Sequence, residues 1–185
     1  MIKELIRETE ERMRKTMGVL EADLRTIRTG RASPSLVERV MVEYYGTPTP
    51  LNQLAVISAP EPQLLTVRPY DPGSLGDIER AILKSELGLT PTDDGRIIRL
   101  PIPRLTEERR QELAKLVRQR VEDGKVALRN IRREALDDLR EFEKEKLISE
   151  DDLYRGKDDL EDLTGRYAKQ TDEMSARKQQ DVLEG

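Results

Sequence analysis

The chain has 185 residues, of which 38% are charged, 36% hydrophobic and 3% aromatic, with no Trp, one Phe and a formal charge of -4. That is too little bulky apolar material for a thick globular core, and an elongated helical protein suits it better. The sequence has neither Cys nor His, which excludes disulfides, thiolate metal sites and Cys nucleophiles, together with the commonest general base and metal ligand.

The opening MIKELIRETEERM reads as a charged amphipathic helix rather than a signal peptide. No run approaches the ~18 consecutive apolar residues that span a bilayer. A soluble cytoplasmic protein without a membrane partner is therefore expected. Ile2, Leu5, Ile6, Met13, Met17, Leu20, Leu24 and Ile27 form a helical seam whose later steps alternate four and three. Gly30 and Pro34 stop that helix. The β-branched run over residues 37–45 predicts a strand, closed by a rigid Gly46-Thr47-Pro48-Thr49-Pro50 turn.

Short apolar runs at 54–58 and 64–70 predict two more strands, and residues 75–87 a short helix. Asp93-Asp94-Gly95 signals a turn into a last strand at 96–100, broken by Pro101 and Pro103. All ten prolines fall between Pro34 and Pro103, so this stretch is compositionally a separate domain.

Thr106 then caps a long helix, with Glu107 and Glu108 against the positive end of its dipole. Its apolar stripe is Leu113, Val117, Val121, Leu128, Ile131, Ala135, Leu139 and Phe142, and its length is about 60 Å. Ser149-Glu150-Asp151-Asp152 caps a third helix with a seam of Leu153, Gly156, Leu160, Leu163, Tyr167, Gln170 and Met174. The short link at 147–149 makes these two helices antiparallel neighbours. The expected architecture is α+β. Residues 1–30 and 105–185 form a long three-helix bundle, and residues 31–104 an inserted strand-containing domain. The two crossings, near 29–34 and 101–105, act as a hinge built from Gly30, Pro34, Pro101, Pro103 and Arg104.

Binding, not catalysis, is the expected mode of action. On the second long helix Arg118, Lys125, Arg129, Arg132, Arg133 and Arg140 lie within about 100° of arc, a quarter turn from the apolar stripe. Residues 125–133 carry a local charge of +4 on a chain of -4. Arg118 with Glu122 and Arg133 with Asp137 are candidate local pairs, whereas Arg129 and Arg132 have no acid three or four residues away. Unpaired guanidinium forks suit phosphate, and the scarcity of aromatics favours folded, backbone-presenting RNA over single strands.

Residues 141–185 carry -6, read as a solvated helix face. The acids at 151–156 fail as a calcium loop because Leu153 and Arg155 occupy ligand positions. No GxxxxGK[ST] or GxGxxG phosphate loop is present. Tyr44-Tyr45 reads either as strand packing or as a partner-facing pair, alternation placing one ring on each face.

Five ordered blocks, IRTGRASP at 27–34, VEYYGTPTPL at 42–51, LGL at 87–89, LTEERR at 105–110 and RNIRR at 129–133, resemble the ribosome recycling factors of bacteria and organelles, nearly end to end. The resemblance implies an L-shaped arrangement of a three-helix bundle and an inserted β/α/β domain. It implies a non-enzymatic, cofactor-free translation factor, taken to be a monomer. Such a factor binds the large-subunit ribosomal RNA of a post-termination ribosome and, with elongation factor G and that partner's GTP hydrolysis, separates the subunits. Carried over by position, the ribosome contacts are Arg129, Arg132 and Arg133, with Arg28, Arg31 and Arg110 as weaker candidates. Elongation factor G would push on the insert and hinge.

Overall fold

The computed structural model describes residues 1–184 and divides into two compact units, Met1–Ile27 with Gln111–Glu184, and Arg28–Arg110. Gly185, the last residue of the expected bundle segment, lies outside the described residues. Along the chain run α1 (Ile2–Thr26), β1 (Met41–Tyr44), β2 (Thr47–Pro50), a single turn α2 (Leu51–Leu54), β3 (Ala55–Glu61), β4 (Leu64–Pro69), α3 (Leu75–Lys84), β5 (Thr92–Asp93), β6 (Ile98–Pro101), α4 (Glu107–Lys144) and α5 (Glu150–Glu184). The fold class is α+β, with long helices and a small antiparallel-sheet domain.

The bundle core follows the seams. Met13, Met17, Leu128, Ile131, Leu163 and Tyr167 form one cluster, and Ala135, Leu139 and Leu160 another. The gap between Ile6 and Met13 is filled by buried Thr9, whose hydroxyl donates to the Leu5 carbonyl at 2.7 Å. On α5 the sequence seam needs one correction: Gln170 is exposed, and the buried position is Thr171. A buried Thr satisfies its hydroxyl within its own turn, here on the Ala168 carbonyl at 2.6 Å, whereas a Gln amide has no such local partner.

Both long helices are capped as their sequences demand. Thr106 Oγ1 accepts from Arg109 N at 3.1 Å. Ser149 Oγ accepts from Asp152 N at 3.0 Å while Asp152 Oδ2 accepts from Ser149 N at 3.2 Å, a reciprocal box. Gly156 permits close approach of α5 to α4, because a Cβ there would sit 2.9 Å from Leu139 Cδ1.

In the second unit a two-stranded sheet β1-β2 and a four-stranded sheet β3-β4-β6-β5 enclose a core that includes Val42, Leu65, Val67, Ile78, Ile82, Ile98 and Leu100. Three expected boundaries change. Residues 37–39 are a turn rather than strand, since they continue the 3-10 turn that Pro34 starts, and β1 begins only at Met41. The helix from Leu75 ends at Lys84 rather than at residue 87.

The third change is that Thr47–Pro50 is a strand and not a turn. The turn is only Tyr45-Gly46, both at positive φ (49° and 79°), the two-residue hairpin geometry that matches strand twist. Tyr44↔Thr47 closes the hairpin, so Pro48 and Pro50, opposite Glu43 and Met41, fall at positions whose missing N–H would point away from β1. Tyr45 therefore does not alternate with Tyr44. Both hydroxyls donate to Asp71 Oδ2, at 3.2 and 3.3 Å, and the rings meet edge to face at 4.6 Å. Burial, then the neighbouring Asp71 carboxylate, raise the Tyr44 phenol above its ordinary pKa.

Glu79 of α3 meets Asp93 of β5. A hydrogen bond with Asp93, burial and the Asp93 charge push Glu79 up to about 7 from 4.5. The folded value is raised, so the stability that this proton confers is complete below the unfolded value of 4.5 and is lost as pH rises through about 7. The thermal midpoint of the insert is expected to fall over that window. In Glu79→Gln, whose amide donates at every pH, the midpoint should stay flat and lie above wild type at alkaline pH.

Candidate nucleic-acid interface

The basic stripe of α4 borders α5. Arg118 Nη1 donates to Gln179 Oε1 at 3.2 Å, and Lys125 Nζ lies 2.5 Å from Asp172 Oδ1. These cross-helix contacts are one heptad apart on each helix, running in opposite directions. The next step of the repeat places Arg132 at the level of Gly165, which offers no side chain and is exposed. The repeat that neutralises Lys125 thus provides nothing for Arg132.

Local pairing differs from expectation at three points. Arg118 bonds α5 rather than Glu122. Arg129, expected to be free, reaches two turns back to Glu122, with Nη2 3.1 Å from Oε1. Asp137 pairs with Arg140 at 3.7 Å and not with Arg133. One rule covers all three: side chains on a helix lean toward its N-terminus, so a long Arg reaches an acid that precedes it better than one that follows. Among the described residues Arg132, partly buried, and Arg133, exposed, have no ion-pair partner. The stripe therefore contains two free guanidinium groups flanked by a neutralised Lys125 and a loosely held Arg129.

The weaker candidates lie elsewhere, in the second unit. Arg28 is partly buried and its Nη2 donates to the Pro103 carbonyl at 3.3 Å, tying one crossing segment to the other. Arg31 is exposed, with its backbone N–H 3.4 Å from Thr29 Oγ1. Arg110 sits in the first turn of α4, its N–H bonded to the Thr106 carbonyl at 3.0 Å.

Both crossing segments are fastened to the turn between β3 and β4. Ala32 N donates to the Pro62 carbonyl at 2.6 Å, Ile102 N to the Gln63 carbonyl at 2.8 Å, and Arg104 Nε to Gln63 Oε1 at 3.3 Å. Pro34 opens its 3-10 turn, Pro101 ends β6, and Gly30 holds φ at +80°, a conformation natural to glycine.

Among the described residues no group of three or more His, Cys, Asp or Glu is placed to hold a metal ion, and no helix is long and apolar enough to cross a membrane. Gly165 is the feature that residue counting missed. It carries no charge, and only the register of α4 against α5 shows what its absent side chain leaves open.

The ribosome recycling factor family model matches residues 20–183. The ribosome-recycling factor of Roseiflexus castenholzii is 56% identical over 184 residues, covering 100% of both chains. That of Carboxydothermus hydrogenoformans is 52% identical over 183 residues, with 99% of each covered. A solution structure of a ribosome recycling factor superposes with a TM-score of 0.78 at 36% identity, over 100% of this chain and 98% of that one. A second similar structure comes from models of the T. thermophilus ribosome recycling factor and the E. coli elongation factor G bound to the E. coli post-termination complex. It gives a TM-score of 0.68 at 45% identity, with 99% of each chain covered. The helical seams, the proline-bounded insert and the RNIRR block thus meet relatives alike over their whole length, and the chain belongs to the ribosome recycling factor family.

Proposed function

We infer that this chain is a cytoplasmic, monomeric translation factor that binds the post-termination ribosome through large-subunit RNA and, with elongation factor G, splits the subunits. GTP hydrolysis belongs to that partner, and the chain itself is not an enzyme. The observation that carries the RNA contact is the pair Arg132 and Arg133, without acidic partners among the described residues, Arg132 at the level where α5 presents Gly165. Guanidinium forks left free in this way grip phosphate oxygens in pairs. Arg129 joins them by exchanging Glu122 for phosphate, an exposed pair that is easily broken. Arg28, Arg31 and Arg110 are secondary contacts in this reading.

Residues 1–30 and 105–185 would act as the anchored part and 31–104 as the part that elongation factor G pushes, turning about Gly30, Pro103 and Arg104. Pro34 and Pro101, held in a 3-10 turn and in β6, would travel with the insert.

Sedimentation with purified ribosomes across a salt series tests the contact. Wild type is expected to co-sediment and to weaken steeply with salt, and Arg132→Ala to bind about tenfold more weakly with a shallower slope. Absence of wild-type binding at low salt would sink the reading. Binding that ignores both salt and Arg132 would favour an apolar protein contact in its place.

A further inference from the structure

A second basic site lies on the insert, remote in sequence from RNIRR. On the outer face of the four-stranded sheet, Val56 of β3 stands directly across from Arg68 of β4, and alternation puts both on the side away from the core. Tyr70, just past the end of β4 and held by its N–H on the Leu54 carbonyl at 3.0 Å, lines the same cleft. The intervening Val67 and Pro69 are buried, whereas Arg68 is exposed and Tyr70 is 67% exposed. With Pro72, Gly95 and Arg96 these residues line an open cleft of 730 Å³.

The electrostatics of this cleft differ from those of an ordinary polar surface. Neither Arg68 nor Arg96 has a side-chain partner among the described residues. The nearby acids are already engaged. Asp71 accepts from both Tyr44 and Tyr45 and from Gly73 N at 2.9 Å. Asp94 accepts from Arg96 N and Ile97 N, each at 2.9 Å, and its second oxygen lies 3.4 Å from Arg99. Those same bonds, with Asp93 accepting from Gly95 N at 2.8 Å, fix the loop that carries Arg96.

An exposed aromatic ring at the edge of a sheet face, in one cleft with two free guanidinium groups, is the chemistry that holds unpaired nucleotides: the ring stacks a base and the guanidiniums take the phosphates on either side. An acidic peptide would use the arginines but has no need of the ring. We propose that this cleft binds a short stretch of single-stranded RNA, with a base stacked on Tyr70 and its flanking phosphates on Arg68 and Arg96.

Fluorescence anisotropy of an end-labelled oligouridine hexanucleotide, titrated with the full chain, tests the proposal. Such a probe is too short to present the backbone of a folded RNA. Tyr70→Ala is expected to weaken binding about tenfold, as base-on-aromatic stacking does. Tyr70→Phe should restore binding, and Arg68→Ala with Arg96→Ala should weaken it and flatten its salt dependence by about two counterions. An unchanged affinity in Tyr70→Ala overturns the site, and so does loss of hexanucleotide binding on Arg132→Ala, because the probe would then sit on α4. If wild type ignores the hexanucleotide yet Tyr70→Ala weakens ribosome binding in a salt-insensitive way, the cleft holds a protein and the RNA assignment falls. Ribosome binding through α4 stands or falls separately, by the sedimentation of Arg132→Ala.

Discussion

Reversing two charges, Arg132→Glu together with Arg133→Glu, is expected to lower ribosome affinity by roughly a hundredfold at low salt and to reduce the salt slope by about two. The effect exceeds that of alanine because each carboxylate repels the phosphate that its guanidinium would have held. Structure should not suffer: Arg133 is exposed, Arg132 only partly buried, and neither makes an ion pair among the described residues.

A second variant reaches the same contact from the opposite helix. Gly165→Glu places a carboxylate at the level of Arg132 without altering α4. A Cβ at this position meets nothing within 4 Å, and leaving glycine inside a helix gains ~0.5–1 kcal/mol. The variant is therefore expected to unfold no earlier than wild type and yet to bind ribosomes several-fold more weakly. If affinity is unchanged in both variants, the phosphates lie elsewhere and the basic stripe is a solvated face.

The parts of this fold legible in the sequence are those governed by local periodicity. Helices α1, α4 and α5 bury most of the residues their seams named, with Ile2, Leu5, Ile6, Phe142, Leu153 and Met174 partly buried near the helix ends, and the caps at Thr106 and Ser149 form as their residue types require. Misreadings fall where a residue has two local uses. Thr-Pro-Thr-Pro is turn-like by composition, but the hairpin register turns its missing N–H groups outward and makes it a strand. Gln170 and Thr171 are adjacent and both polar, and only the ability of Thr to bond within its own turn sends it inward.

The candidate site was legible as a charge stripe but not as a pattern of pairing. Counting acids at three and four residues left Arg129 free, although Glu122 sits seven back on the same face, within reach of an arginine. It also credited Arg133 with Asp137, which prefers the arginine that follows it. The contribution of Gly165 depends on the register between two helices, which no single-helix count contains. The cleft at Tyr70 was out of reach for the same reason, since Val56, Arg68 and Arg96 converge only once β3 and β4 pair and the turn before β6 is fixed.

Ile82→Ala, in α3, is expected to destabilise the insert by about 3 kcal/mol and to leave the bundle nearly untouched. Ile82 is fully buried among Val42, Leu65, Val67, Ile78 and Leu100, and removing its outer carbons costs both their burial and the cavity left behind. Those neighbours all belong to the unit Arg28–Arg110, whereas the bundle clusters around Leu128 and Leu139 belong to the other. Two separate cores need not melt together. In a background carrying Tyr154→Phe and Tyr167→Phe in α5, the remaining Tyr44, Tyr45 and Tyr70 report on the insert alone in the near ultraviolet, and the far-ultraviolet helical signal comes mainly from α1, α4 and α5. In Ile82→Ala the tyrosine transition should move to lower temperature while the helical transition stays, and Leu128→Ala should do the reverse. Coincident shifts of both signals in both variants would mean that the units fold as one cooperative block. An insert that melts on its own draws its stability from contacts within itself, and that is what a part needs if a partner is to turn it without unfolding it.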